Sequence, residues 1–103
     1  MPRFLITYHG NGMPHDPESM ASAREAFMQW AAKTGDALVE PGAPVGSTRT
    51  VSSTGTQDGP ASGPIDGWSV LEAANTEEAA QKLSDHPFIG RGGVLQISEP
   101  AGS

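Results

Sequence analysis

The chain has no cysteine, so it carries neither a disulfide framework nor a thiolate zinc site. That absence suits a reducing compartment, and a cytoplasmic location is expected. Basic residues are also few: six Lys and Arg stand against twelve Asp and Glu, for a formal charge of -6, and they form no cluster. Such a balance repels a phosphate backbone, which argues against a nucleic-acid partner. No long apolar run occurs. Phe4-Leu5-Ile6 behind Arg3 is too short for the apolar region of a signal peptide or for a membrane span, so no membrane partner is expected. Apolar residues make up only 36% of 103 residues, which allows one domain over 1–103 with a core that is marginal for a monomer. Association with a second copy is therefore expected.

What the chain does have is glycine and proline, 13 and 9 residues, which predict long connecting turns. Between them the periodicity is readable. Residues 3–9 alternate, with Phe4, Ile6 and Tyr8 on one side and Leu5, Thr7 and His9 on the other, which predicts a strand. Asp16-Pro17-Glu18 is a helix start: Asp caps free N–H groups, proline suits the first position, and Glu suits the dipole. The helix should run to about Thr34 with Met20, Ala23, Phe27, Trp30 and Ala31 on its buried face, and stop at Gly35.

Two short strands are expected at 37–40 and 46–52, then a Gly- and Ser-rich loop over 53–64. Trp68, Val70 and Leu71 mark a central strand within 65–73, and Asn75-Thr76-Glu77-Glu78 opens a second helix with capping-box chemistry. Pro87 ends that helix near Asp85, because the residue before a proline is driven out of the helical region. After the glycine turn over 90–93, residues 94–98 alternate as a last strand, and 99–103 form a loose tail.

This order predicts an α+β fold, a ferredoxin-like βαββαβ sandwich: an antiparallel sheet with two helices on one face. The other face would carry Leu5, Thr7, His9, Gln96 and Ser98, too apolar to stay bare and too polar for a dry core. Two such faces packed together would form a dimeric barrel.

Asp58-Gly59-Pro60, the run Ile65-Asp66-Gly67-Trp68-Ser69-Val70-Leu71-Glu72-Ala73, Glu77-Glu78-Ala79, His86-Pro87-Phe88 and Gly92-Gly93 resemble the YCII-related family, in particular its DGPF branch. The resemblance implies a homodimeric α+β barrel with a cleft between open sheet faces, and an enzyme of poorly known reaction. In some members a His and Asp pair is proposed to act. This chain departs from that pattern: Ala61 follows Asp58-Gly59-Pro60, His15-Asp16 lacks the preceding Arg-Pro, and His86 stands where one branch has aspartate before a Pro-aromatic step. The pair therefore does not transfer residue by residue.

Among the chemistry-bearing residues, His86 leads, because imidazole exchanges protons near neutral pH and Asp85 or Asp58 could orient it. The competing reading is that a histidine at a helix end only bonds backbone groups there. His9 ends the first strand on the face assigned to the dimer cleft, and His15 precedes the cap residue. Each has an ordinary polar role as its alternative. Arg49 could clamp an anionic substrate or form a surface salt bridge, and Gln96 could contact a ligand from the open face. Gly10-Asn11-Gly12 lacks the third glycine of a dinucleotide loop, and the 90–93 turn offers an anion nest that a plain turn explains equally well. No histidine spacing suits a metal, so no metal or cofactor is expected.

Together these point to a cofactor-independent enzyme moving a proton on a small organic molecule by transfer, isomerisation or elimination. His86 and His9 would be acid and base, Asp58 would orient, and Arg49, His15 and Gln96 would bind. The alternative is a non-catalytic module that binds a small molecule or another protein. Phe27, Trp30 and Trp68 are expected in the core.

Overall fold

The computed structural model describes residues 1–10, 14, 16–61 and 63–101. Strand β1 (Arg3–His9) lies inside a four-stranded sheet of order β2-β5-β1-β6, with β2 (Leu38–Pro44), β5 (Gly67–Glu72) and β6 (Val94–Ser98). Every pair in it is antiparallel, and the order is that of a ferredoxin-like sandwich. Helices α1 (Pro17–Thr34), α2 (Thr76–Leu83) and the single turn α3 (Pro87–Gly90) complete it.

The registers show which residues share a face. Phe4, Ile6 and Tyr8 stand opposite Leu71, Ser69 and Gly67 on one side and, for Ile6 and Tyr8, opposite Ile97 and Leu95 on the other. This is the helix-covered face, and its core joins Phe4, Ile6, Tyr8 and Leu71 to Trp30, Ala73, Ala79, Leu83 and Phe88. On the opposite face Leu5 faces Val70 and Ser98, Thr7 faces Trp68 and Gln96, and His9 faces Val94. Trp68 therefore lies outside the core, 37% exposed beside Leu5 at 43%. The period-2 pattern put it one strand position away from the buried set.

The caps are as the residue types dictate. Asp16 accepts from the Ser19 N–H at 2.9 Å, Asn75 accepts from the Glu78 N–H at 2.8 Å, and Gly35 closes α1 at φ 68°. Glu78 reaches back to the Ala74 N–H, one residue before the cap. Along α1 only Trp30 is fully buried and Met20 is 52% exposed, so the amino-terminal half of this helix overhangs the sheet.

Three features differ from the sequence reading. Strand β2 runs on through Pro41 and Pro44, which an edge strand tolerates because a missing N–H there faces outward. Its register shifts around Gly42, where φ is 74° and a Cβ would lie 1.8 Å from the Trp68 carbonyl oxygen. The expected loop at 53–64 contains β4 (Gly55–Asp58), paired with β3 (Arg49–Ser52) as a separate two-stranded sheet. Finally, Pro87 both ends α2 and begins α3, so a proline read as a stop is also a start. The turn after α3 holds its N–H groups inward: Gly92 donates to Ile89 and Gly93 to Phe88, so these two amides are not open to an anion. A Cβ at Gly93 would meet the Phe88 ring at 2.2 Å, so only glycine lets β6 start this close to α3.

No helix among the described residues is long and apolar enough to cross a membrane.

Candidate functional site

His86 sits in the link between α2 and α3 and is 2% exposed. Its ring lies against Trp30, with centroids 4.4 Å apart, and near Phe27 and Tyr8. As the cap of α3 it accepts the Phe88 N–H on Nδ1 at 3.0 Å. An N–H can only donate, so Nδ1 holds a lone pair and the ring proton sits on Nε2. Nε2 donates to the Tyr8 hydroxyl at 3.0 Å. At the other end, Ser69 Oγ donates to the Pro41 carbonyl at 2.8 Å, which leaves it to accept from the Tyr8 hydroxyl at 2.8 Å. The two ends thus set one direction for every proton: Phe88 amide to His86, His86 to Tyr8, Tyr8 to Ser69, Ser69 to Pro41.

Electrostatics agrees with this order. Burial, with Arg91 nearby and Asp85 opposing, lowers the His86 pKa to about 4. Burial also raises the Tyr8 pKa, against the opposing Ser69 bond. Both rings are therefore neutral at pH 7. His86 has no free nitrogen lone pair and acts as a helix cap and a hydrogen-bond donor. The two sequence readings of this residue meet here, with the cap serving the amino end of α3.

The other sequence candidates are spread over the fold. His9 is on the opposite sheet face from Tyr8 and donates from Nδ1 to the Pro64 carbonyl at 3.0 Å, while Nε2 pairs with Thr7 Oγ1 at 2.7 Å. The sheet separates it from His86. Arg49 and Asp58 bind each other across the β3–β4 hairpin, with Nη2 3.1 Å from Oδ1, and both are exposed. Asp85 pairs with Lys33, which holds its carboxyl below the usual range, so neither aspartate bonds the His86 ring. Gln96 is exposed on the open face and donates to Ser98 Oγ at 3.3 Å. His15 and the Asn11-Gly12 step lie outside the described residues.

Beside the Tyr8 chain is a cavity of about 200 Å³ on the helix side of the sheet. Met20, Ala23, Arg24 and Phe27 of α1 form one wall, residues 41–44 of β2 and 66–68 another, and Tyr8, His86, Phe88 and Arg91 the floor and end. The lining is mostly apolar, with few polar groups, as small-molecule sites are. Asp66 is the residue that sequence reading missed. Its N–H donates to the Tyr8 carbonyl at 2.6 Å and its carbonyl accepts from Val45 at 2.9 Å, so its backbone is fixed. Its Oδ2 is buried without a hydrogen-bond partner among the described residues. Asp66 falls within the strand expected over 65–73, where nothing singles it out, and only the fold brings it beside Tyr8. Among the described residues no group of three His, Cys, Asp or Glu side chains gathers to hold a metal.

Comparison with protein-family models matches none, and comparison with curated proteins matches none.

His86 makes stability pH-dependent in a stated window. In the unfolded chain it protonates near 6.5, while in the fold it stays neutral down to about 4. Its contribution is complete above pH 6.5 and is lost as pH falls toward 4, on the order of 3 kcal/mol. In His86→Asn the amide can still cap Phe88 but cannot titrate. Urea unfolding at pH 7 and pH 4.5 should show a smaller pH difference in the variant than in the wild type, and equal differences would contradict the assignment.

Proposed function

We propose that this chain is a YCII-like domain that binds a small organic molecule in the cavity between α1 and the sheet. The observation that carries this reading is the cavity itself, with apolar walls from Phe27, Met20 and Phe88 and the polar groups of Tyr8 and Asp66 at its edge. A cytoplasmic setting without cofactor fits the composition. Ala23→Phe puts a ring into the cavity from the α1 side and changes no residue of the sheet. A fragment screen followed by amide chemical shifts should give hits that perturb Phe27 and Tyr8 in wild type and are lost in Ala23→Phe. Hits that map to the open sheet face, or survive the substitution, would contradict the site.

Proton transfer, isomerisation or elimination on the bound molecule is the second reading, and Asp66 favours it. The Asp66 carboxylate, with an oxygen that has no partner among the described residues, supplies a base at the cavity wall, and Tyr8, whose one proton is held by Ser69, is a fixed neutral neighbour. In this reading Asp66 takes the proton role that the sequence suggested for His86, and His86 holds Tyr8 in place.

The same family reading includes a homodimer through the open face. Exposed Leu5 and Trp68 support it, and such packing would enclose His9 and Gln96 in a second cleft. Light scattering should then give twice 10.7 kDa. A mass of one protomer would remove the barrel and, with it, any joint site at His9 and Gln96.

A further inference from the structure

The chain has six basic residues, and three of them are paired: Arg3 with Glu72, Lys33 with Asp85 and Arg49 with Asp58. Two others, Arg24 of α1 and Arg91 after α3, line the cavity. Both are also exposed, so they stand where the cavity opens. The Arg91 guanidinium lies 5.9 Å from the centre of the buried Phe88 ring, and its charge helps to keep the His86 imidazole neutral, so it serves the His86 end of the opening. Arg24 stands one helical turn before Phe27, whose ring lies near His86. Behind this mouth the cavity is apolar, with Ala23, Phe27 and Phe88 in its walls. The carboxylate in the lining, Asp66, has its Oδ2 closed off, so that oxygen offers no surface to a ligand.

Cations at a mouth and apolar walls behind it sort ligands by polarity along their length. Arginine stems lie along apolar surface while their guanidinium heads stay in water, so the charge of both residues is available at the opening. In a chain of net charge -6, this opening is a local reversal of sign, with two cations in the lining against one carboxylate. An anionic head there gains from both arginines, an ammonium head is repelled by both, and a neutral head gains from neither. A tail that enters the cavity gains about fourfold in affinity for each methylene buried. The Gly92 and Gly93 amides beside Arg91 are bonded inward, so a phosphate would not find a backbone cradle, whereas a carboxylate needs only the guanidinium donors. A volume of about 200 Å³ corresponds to roughly seven water molecules at ~30 Å³ each, which suits a short tail and excludes a nucleotide or a long acyl chain.

Resting on the small-molecule reading of this cavity, we infer that its ligand class is the short-chain apolar carboxylate, with the carboxylate at the mouth in the field of Arg24 and Arg91 and the hydrocarbon tail inside. The tail packs against Phe27 and Phe88. Tyr8, already committed to Ser69 and His86, borders it without needing to bind it.

The test titrates the full chain with butyrate, hexanoate, hexanamide and hexylamine at low salt and follows amide chemical shifts. Hexanoate should bind roughly tenfold more tightly than butyrate, because its tail is two methylenes longer, with shifts at Phe27 and Tyr8. It should bind at least about threefold more tightly than hexanamide, with hexylamine weakest, and added salt should narrow the gap because both arginines are exposed. Arg24→Gln should narrow the same gap by weakening hexanoate alone. Arg24 is an exposed residue in no ion pair among the described residues, so its substitution leaves the fold intact and keeps the comparison valid even if Arg91→Gln loosens the turn after α3. Hexanamide or hexylamine binding as tightly as hexanoate overturns the carboxylate and leaves the cavity reading in place, as does a gap that survives both Arg24→Gln and Arg91→Gln. No shift with any of the four also overturns the carboxylate, and the cavity reading then stands or falls on the fragment hits and their loss in Ala23→Phe.

Discussion

Everything near the cavity depends on a single directed chain of hydrogen bonds from the Phe88 amide to the Pro41 carbonyl. Its members come from α3, the link before it, β1, β5 and β2, so one buried polar line connects the helical layer to the sheet and out to the edge strand. Each buried donor in it meets an acceptor, which is the condition under which a polar network in a core is tolerated. The apolar packing around it, Trp30 and Phe27 on the His86 ring and Phe88 edge-on to Tyr8, keeps water out and the imidazole neutral. Packing and hydrogen bonding here are one constraint: protonating His86 would set a second ring proton against the Phe88 N–H and release the cap.

That constraint changes what the site can do. An imidazole with both nitrogens engaged is a poor proton carrier and a good fixture, so the chemistry moves to the neighbouring groups that the chain holds still. Tyr8 is fixed at its backbone by Asp66 and at its hydroxyl by Ser69 and His86. Asp66 is fixed at its backbone, and its Oδ2 is buried with no hydrogen-bond partner among the described residues. The cavity thus joins rigid walls to an unsatisfied polar group, and it lies under α1 rather than on the open sheet face where sequence reasoning looked for a cleft.

The main elements were readable because their signals are local. The alternation of β1 and β6, the proline and caps of α1, and the Asn75 to Glu78 start of α2 each act within a few residues. Strand β3 lies within the strand expected over 46–52, but its partner β4 was not readable, since it buries nothing and so leaves no apolar period. Nor was α3, because a proline before a single helical turn looks the same as one after a helix. Of the site, His86 was found by position, but its partners lie up to 78 residues away in sequence, and a role set by which nitrogen meets which group is invisible without them. Trp68 and Asp66 show the same limit: both sit in an apolar run whose phase, not composition, decides which points to the core and which does not.

The direction of the chain is open to direct observation. Nitrogen NMR of the imidazole in 15N-histidine-labelled protein at pH 7 distinguishes a protonated from an unprotonated ring nitrogen. His86 should carry its proton on Nε2 alone, with a proton-bearing Nε2 signal and a lone-pair Nδ1 signal that persist down to about pH 5. A proton on Nδ1, or a doubly protonated ring at pH 7, would contradict it.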